Sequence, residues 1–417
     1  MALSFVVLGS VPASTAPRTG PPVLGVTHTQ VTADGDSAAD ARARDYLTSA
    51  PLAGNQHIMG WGALNPEPSP GVFDWSTLDH RMDLLRRTTD DPVITLCCAP
   101  DWMKGGEPGQ TDWDKIEVPP AEEHFDDFAE LAAAVAARYP YVKNFLVWNE
   151  LKGFFDTERN TWDIEAYTRL YNKVYAAVKK ANPAARIGGP YLVMISWGAD
   201  DSPLSGAWGA VEHRIVDAID YWMAHKVGAD FIVVDGSNAT RDNQLPGGDA
   251  AATAKFGDIT RQLRKRTGLP VWWAEVYPEV DDDGVPSAAP RRAAIGLLAV
   301  ARMVEAGAAK VLLWQPQADT SFESVALWSD TRAADGVRRC RWPGPTRGWP
   351  GRPRRTARSP PPGPATPSGS TTARPGSRST RTPARSPTTG GRPGRRRPPS
   401  GGRSCRARPR PPCACPG

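Results

Sequence analysis

The feature that most constrains this chain is a rhythm. Short apolar runs alternate eight times with longer amphipathic stretches between Val23 and Gln315. The runs are Val23–His28, Gln56–Gly60, Pro92–Cys98, Val142–Asn149, Arg186–Gly189, Asp230–Val234, Pro270–Glu275 and Lys310–Gln315. Between them, Ala38–Leu47, Trp75–Arg87, Glu122–Arg138, Ile164–Ala181, Val211–His225, Ala252–Arg266 and Pro290–Glu305 carry apolar residues at helical spacing. Asp74 or Ser76 is expected to cap the second of these helices, and Asn182-Pro183 to stop the fourth. Strands that alternate with helices pair in parallel through right-handed crossovers. The runs lack clean polar alternation, as strands covered on both faces should. The predicted fold is therefore α/β, a (β/α)8 barrel. The rival is an open doubly wound sheet, and its dinucleotide form is disfavoured because no glycine-rich turn follows the first strand.

Composition divides the chain near residue 337. Residues 1–337 hold all 45 acidic residues against 30 Lys and Arg, whereas residues 338–417 hold 20 Arg, no Lys and no acid. The formal net charge of +5 thus describes neither part, and it does not imply a specific nucleic-acid partner. The expected organisation is a leader over 1–21, one barrel over 22–337 and a disordered basic tail over 338–417. The tail begins where an eighth helix is due. It has the composition of a GC-rich gene read out of frame, and a genuine basic tail is the alternative. If the helix is missing, apolar surface between strands eight and one is expected to stay exposed. The apolar run Ala2–Gly9 before Ala13-Ser14-Thr15-Ala16 reads as the end of a secretory signal, so the expected location is outside the cell. No run of 18 apolar residues is present to span a membrane. Cys97 and Cys98 read as buried thiols poorly placed to bridge each other, and no zinc spacing emerges.

Two runs end in a carboxylate. Phe145-Leu146-Val147-Trp148-Asn149 leads into Glu150, and Pro270-Val271-Trp272-Trp273-Ala274 leads into Glu275. Active sites of such barrels lie at the C-terminal strand ends. A carboxyl half-shielded there can carry a proton to a leaving oxygen. Closure of the barrel can bring the two strand ends across one mouth. Retaining glycosidases need carboxyls about 5–5.5 Å apart and inverting ones about 6.5–9.5 Å; spacing in sequence does not choose between them. Glu279, farther into the following loop, ranks second to Glu275. The strand-end position also nominates His28, Trp61, Asn65, Trp102, Tyr191, Asp235, Tyr277 and Trp314 for a sugar cleft, each weighed against a structural role. The first part holds 13 of the 15 tryptophans, which suits a sugar-stacking cleft or a deep core.

With those residues in place, the chain resembles clan A glycoside hydrolases, most of all family 39, which groups β-xylosidases with α-L-iduronidases. The resemblance rests on Trp61–Asp79, Pro92–Trp102, Phe145–Glu150, Tyr167–Tyr175 and Arg186–Tyr191, and covers about residues 22–330. It implies that Glu150 is the acid/base, that Asn149 holds a sugar hydroxyl beside the reacting carbon, and that Glu275 is the nucleophile of a two-step displacement. It further implies an oligo- or polysaccharide substrate such as a β-xyloside, with no cofactor and no metal. Two positions depart from the family pattern. The sixth strand ends in Asp235 rather than His or Tyr, and Glu275 is followed by Val276-Tyr277 rather than Trp. A barrel that binds carbohydrate without turnover, or an inactive product of a damaged gene, are the competing readings.

Overall fold

The computed structural model describes residues 22–281, 289–318, 326–333 and 336–337. The predicted leader over 1–21 and tail over 338–417 lie outside them.

Eight parallel strands close a barrel: β1 (Val23–His28), β2 (Ala53–Gln56), β3 (Asp91–Leu96), β4 (Asn144–Val147), β5 (Arg186–Val193), β6 (Phe231–Ser237), β7 (Val271–Tyr277) and β8 (Lys310–Trp314). Neighbours in sequence are neighbours in space, and β8 pairs with β1 from Val23↔Lys310 to Thr27↔Trp314. The helices between them are α1 (Ala38–Thr48), α2 (Ser76–Thr88), α3 (Phe125–Arg138), α4 (Ile164–Ala181), α5 (His213–His225), α6 (Ala254–Thr267) and α7 (Ala289–Glu305). The helix starts follow local chemistry. Ser37 and Asp40 cap α1 reciprocally, each side chain accepting from the other's backbone N–H, and Asp163 accepts from Ala166 N at the start of α4. The cap expected on α2 differs: Trp75 occupies that position, and Asp74 accepts from Ser76 N just outside it.

The β2 expectation was displaced. The strand is Ala53-Gly54-Asn55-Gln56, fully buried although half polar. Its polar residues serve both faces: Gln56 accepts from Arg81 of α2 and donates to Gln30, and Asn55 turns into the barrel. Asn55 donates to Thr27 Oγ1 at 3.2 Å and accepts from Thr95 Oγ1 at 3.1 Å, linking β1, β2 and β3 across the interior. Beside them lies an apolar cluster of Val93, Leu146, Phe231, Val233, Trp272 and Ala274, with Phe231 and Trp272 stacked at 3.6 Å.

Two local corrections follow. The Cys97–Cys98 peptide is cis and the two sulfurs form a disulfide, which a trans strand geometry would not permit. The surface expected to lie bare beside β1 is partly covered. Trp328 and Val337 are buried against Val26 of β1 and Ala39, Ala43 and Leu47 of α1, and Arg42 donates to Gly336 O. Among the described residues no eighth barrel helix follows β8, and none of the helices is long and apolar enough to cross a membrane.

Candidate active site

The mouth is shaped where strand alternation fails. On β6, Phe231, Val233 and Asp235 point inward while Ile232 and Val234 pack outward. On β7, Trp272 and Ala274 point inward, so strict alternation would send Glu275 outward and Val276 inward, yet Val276 packs outward. A bulge intervenes: Val234 pairs with Trp273, but Asp235 pairs with Glu275. The extra residue turns the Glu275 carboxyl into the mouth. The same device acts on β5, where Pro190 and Leu192 oppose consecutive residues of β6 and Tyr191 is the extra one. Beyond β4 the backbone is left-handed at Trp148 (φ 66°), Glu150 (φ 51°) and Leu151 (φ 50°), and Tyr191 has φ 58°. Bulky residues in that region store strain, and such strain clusters at functional sites.

These distortions gather three carboxyls. Glu150, Asp235 and Glu275 each place one oxygen within 4.8 Å of the others. Two unit charges that close repel by about 3–4 kcal/mol at an effective dielectric near 20, so the surroundings must decide which are ionised.

Glu275 is 2% exposed and well supplied. Tyr191 Oη donates to Oε1 at 2.5 Å, Tyr277 Oη donates to Oε2, and His57 Nδ1 stands 3.2 Å from Oε1, closer to an ion-pair approach than to an aligned hydrogen bond. Burial alone would raise the carboxyl, but His57 and the two tyrosines outweigh it and hold Glu275 below the ordinary carboxylate range. Burial, together with the neighbouring Glu275 charge, keeps both phenols far above their usual range, so they remain donors. Glu150 is 15% exposed and pairs with Lys152 Nζ at 3.1 Å, which also meets Glu117 at 3.1 Å. Partial burial opposes the Lys152 charge, yet those two carboxylates more than restore it and hold the amine above its normal value. Asp235 is fully buried, and neither of its oxygens receives a donor from the protein. Burial first, then Glu150 and Glu275, push its carboxyl well above the usual range.

Among the described residues these three carboxyls are the group whose spacing could hold a cation. Both Glu275 oxygens already serve tyrosine hydroxyls, so the cluster is organised around protons.

The family model for glycosyl hydrolases family 39 matches residues 66–308, more than half of the chain. This chain belongs to glycosyl hydrolase family 39. It is 27% identical over 219 residues to a β-xylosidase of Caldicellulosiruptor saccharolyticus, covering 49% of this chain and 40% of that protein. It is 29% identical over 178 residues to an α-L-iduronidase of Canis lupus familiaris, covering 38% of this chain and 24% of that protein. The chain thus spans less than half the length of either relative. The family 39 barrel also superposes on the crystal structure of a monomeric β-xylosidase from Caulobacter crescentus, with a TM-score of 0.52 and 17% identity over 78% of this chain and 68% of that one, a likeness of fold.

The sequence-derived candidates separate into two groups in this family 39 chain. Tyr191, Asp235 and Tyr277 gather around Glu150 and Glu275. Trp314 joins them through His57, ring edge to face at 4.6 Å. Asn149 is buried with an Oδ1 that finds no partner in the protein. The other four serve the scaffold or another surface. His28 packs outward beside Gly54, toward Leu85 and Thr89 of the α2 side, and burial holds it neutral with a pKa lowered to about 3. Asn65 donates to Cys98 O at 2.6 Å and pins the β2 loop to the end of β3. Trp61 starts a short 3-10 turn and packs on the core. Trp102 donates to Glu67 O and lines a separate groove with Phe73, His124 and Asp127. Glu279 exchanges backbone hydrogen bonds with the Asn238 side chain outside the cluster. Sequence reasoning missed His57, the residue directly after β2; a strand ending at Gln56 would have marked it as a mouth residue.

Proposed function

We propose that the chain is a retaining glycoside hydrolase that cleaves O-glycosidic bonds by double displacement. The observation that carries this reading is the approach of Glu150 and Glu275 from the ends of β4 and β7, oxygen to oxygen within 4.8 Å. That closeness supports the spacing of about 5–5.5 Å used by retaining enzymes better than the wider inverting one. Glu275, held ionised by its donors, attacks the anomeric carbon. Glu150, reachable from solvent, gives its proton to the departing oxygen. A glycosyl ester forms on Glu275, Glu150 then takes a proton from water, and the hydroxide equivalent releases the sugar with its original configuration. The negative field of the mouth stabilises the oxocarbenium-like transition state. Asn149 Oδ1 is placed to accept a sugar hydroxyl.

Three carboxyls in one mouth disfavour a uronide and suit a neutral glycoside. Among these a β-xyloside of plant-type glycan is the substrate we favour, and the relatives named β-xylosidase support it. The test is a panel of nitrophenyl β-glycosides with β-xyloside first, following the product anomer by NMR as it forms. Hydrolysis with retention is expected. Inversion would overturn the mechanism, and binding without turnover would return the carbohydrate-binding reading.

A further inference from the structure

Asp235 and Glu275 face each other in register across β6 and β7, both buried, and their supplies of donors are opposite. Glu275 is approached by two phenols and an imidazole, whereas Asp235 has no N–H or O–H of the protein on either oxygen. The donors that stand near it are engaged elsewhere. Tyr191 and Tyr277 turn their hydroxyls to Glu275. Lys152 is held between Glu150 and Glu117. Lys255 of α6, 1% exposed, spends a hydrogen bond on Ala239 O, and burial, against Glu279 and Asp235, lowers its pKa to about 7. Two carboxyls lie within 4.8 Å of Asp235, and Glu275 already has a phenol on each oxygen, which leaves Glu150 as the acceptor for a proton on Asp235. A buried carboxyl with no donor and two acids this close is accommodated when it carries a proton.

We propose that Asp235 stands as a neutral acid that donates its hydrogen to the Glu150 carboxyl and so positions the acid/base throughout its proton cycle. The raised carboxyl of Asp235 agrees with this geometry. The inference rests on the acid/base reading of Glu150 and adds a positioning residue to it. Asp235 keeps its proton during both steps. When Glu150 has given its own proton to the leaving oxygen, the carboxylate it becomes is met by a donor from below rather than by a second negative charge. When Glu150 takes a proton from water, the same hydrogen bond holds its orientation. Lys152 grips Glu150 from the solvent side, so the side chain is fixed between a cation and an acid.

The test compares Asp235→Asn with Asp235→Ala in the full chain. Asparagine can donate as the neutral acid does, so its kcat on a β-glycoside should stay within about tenfold of the parent, against about 100-fold lost in Asp235→Ala. The alkaline limb of activity should hold its place in Asp235→Asn and move to higher pH in Asp235→Ala, where the Glu150 carboxylate loses a donor. If Asp235 is instead ionised, both variants remove a charge beside Glu150 and both limbs move to lower pH, which overturns the proposal. Infrared difference spectra at neutral pH provide an arm independent of turnover. A protonated-carboxyl band should vanish in Asp235→Asn and persist in Glu150→Gln. Loss of an ionised-carboxylate band in its place would refute the assignment. If the wild-type chain hydrolyses no glycoside while the protonated band is present, the protonation of Asp235 stands and the glycosidase reading falls.

Discussion

The two ends of the barrel treat buried charge differently. At the floor, Lys310 is 1% exposed, pairs with Asp91 at 2.9 Å and lies 4.0 Å over the Trp272 ring. Asn144 closes the same group by donating to Asp91 Oδ1 at 2.7 Å, and Arg186 stacks near Phe231 and Trp272. The charges named there are paired or lie over rings, while Asn144 Oδ1 and Trp272 Nε1 find no partner in the protein. At the mouth, Asp235 and Asn149 leave oxygens unpaired, three acids converge, and the backbone is left-handed at Glu150 and Leu151. Buried polar groups without partners cost stability. Both ends leave such atoms, so the difference lies in charge: the floor sets a cation against an anion, and the mouth sets three acids against one another.

That contrast can be broken from either side. The largest effect is expected at the mouth. Glu275→Ala should lower kcat by about 10⁴-fold or more, since both steps of the proposed displacement pass through that carboxylate. Glu150→Gln should cost about 10²–10⁴-fold on substrates with poor leaving groups and far less on dinitrophenyl glycosides, which leave without a proton. Equal losses on both substrate classes would remove Glu150 from the acid role. Glu150→Gln should unfold no more readily in urea than the parent, whereas Glu275→Ala strands the Tyr191 and Tyr277 hydroxyls and should lose about 1–3 kcal/mol.

At the floor the pattern should invert. Lys310→Met strands Asp91, which is one-third exposed and can recover some hydration. The expected loss is about 2 kcal/mol, less than that for a fully buried pair, read from the urea midpoint. Activity per folded molecule should be unchanged; a large fall in kcat would mean that the two ends are coupled.

The smallest effect sharpens the comparison within the mouth. Tyr277→Phe removes one donor from Glu275 and should cost about tenfold in kcat/KM. The parent Glu275 is held below the ordinary range, so activity fails as pH falls through that lowered value. Losing a donor raises it, and the acid limb of the pH profile should move to higher pH. A limb that stays in place would show that Tyr277 does not act on the nucleophile.

Much of this architecture was legible because eight apolar runs mark eight strands, and β1 and α4 fall on the expected residues. β2 was misplaced for a physical reason. A buried strand that carries Asn55 and Gln56 has no hydrophobic signal, since Asn55 is matched by Thr27 and Thr95 and Gln56 by Gln30 and Arg81. That shift hid His57. Glu150 and Glu275 stood out in sequence because each ends an apolar run, but their approach depends on bulges at Tyr191 and Ala274 that no periodicity announces. His28 misled for the opposite reason: it ends a strand, yet its parity points it toward the helices.

The left-handed turn after β4 bears on how this protein could be engineered. Glycine in place of Leu151 would adopt that conformation without steric conflict, but Leu151 is buried in the core and the loss of its side chain would cost about 2–5 kcal/mol. Packing from beneath therefore holds the turn, and a loosened loop would bring the proposed acid Glu150 to a leaving group less often. Screens that score melting temperature alone should leave residues 148–151 fixed.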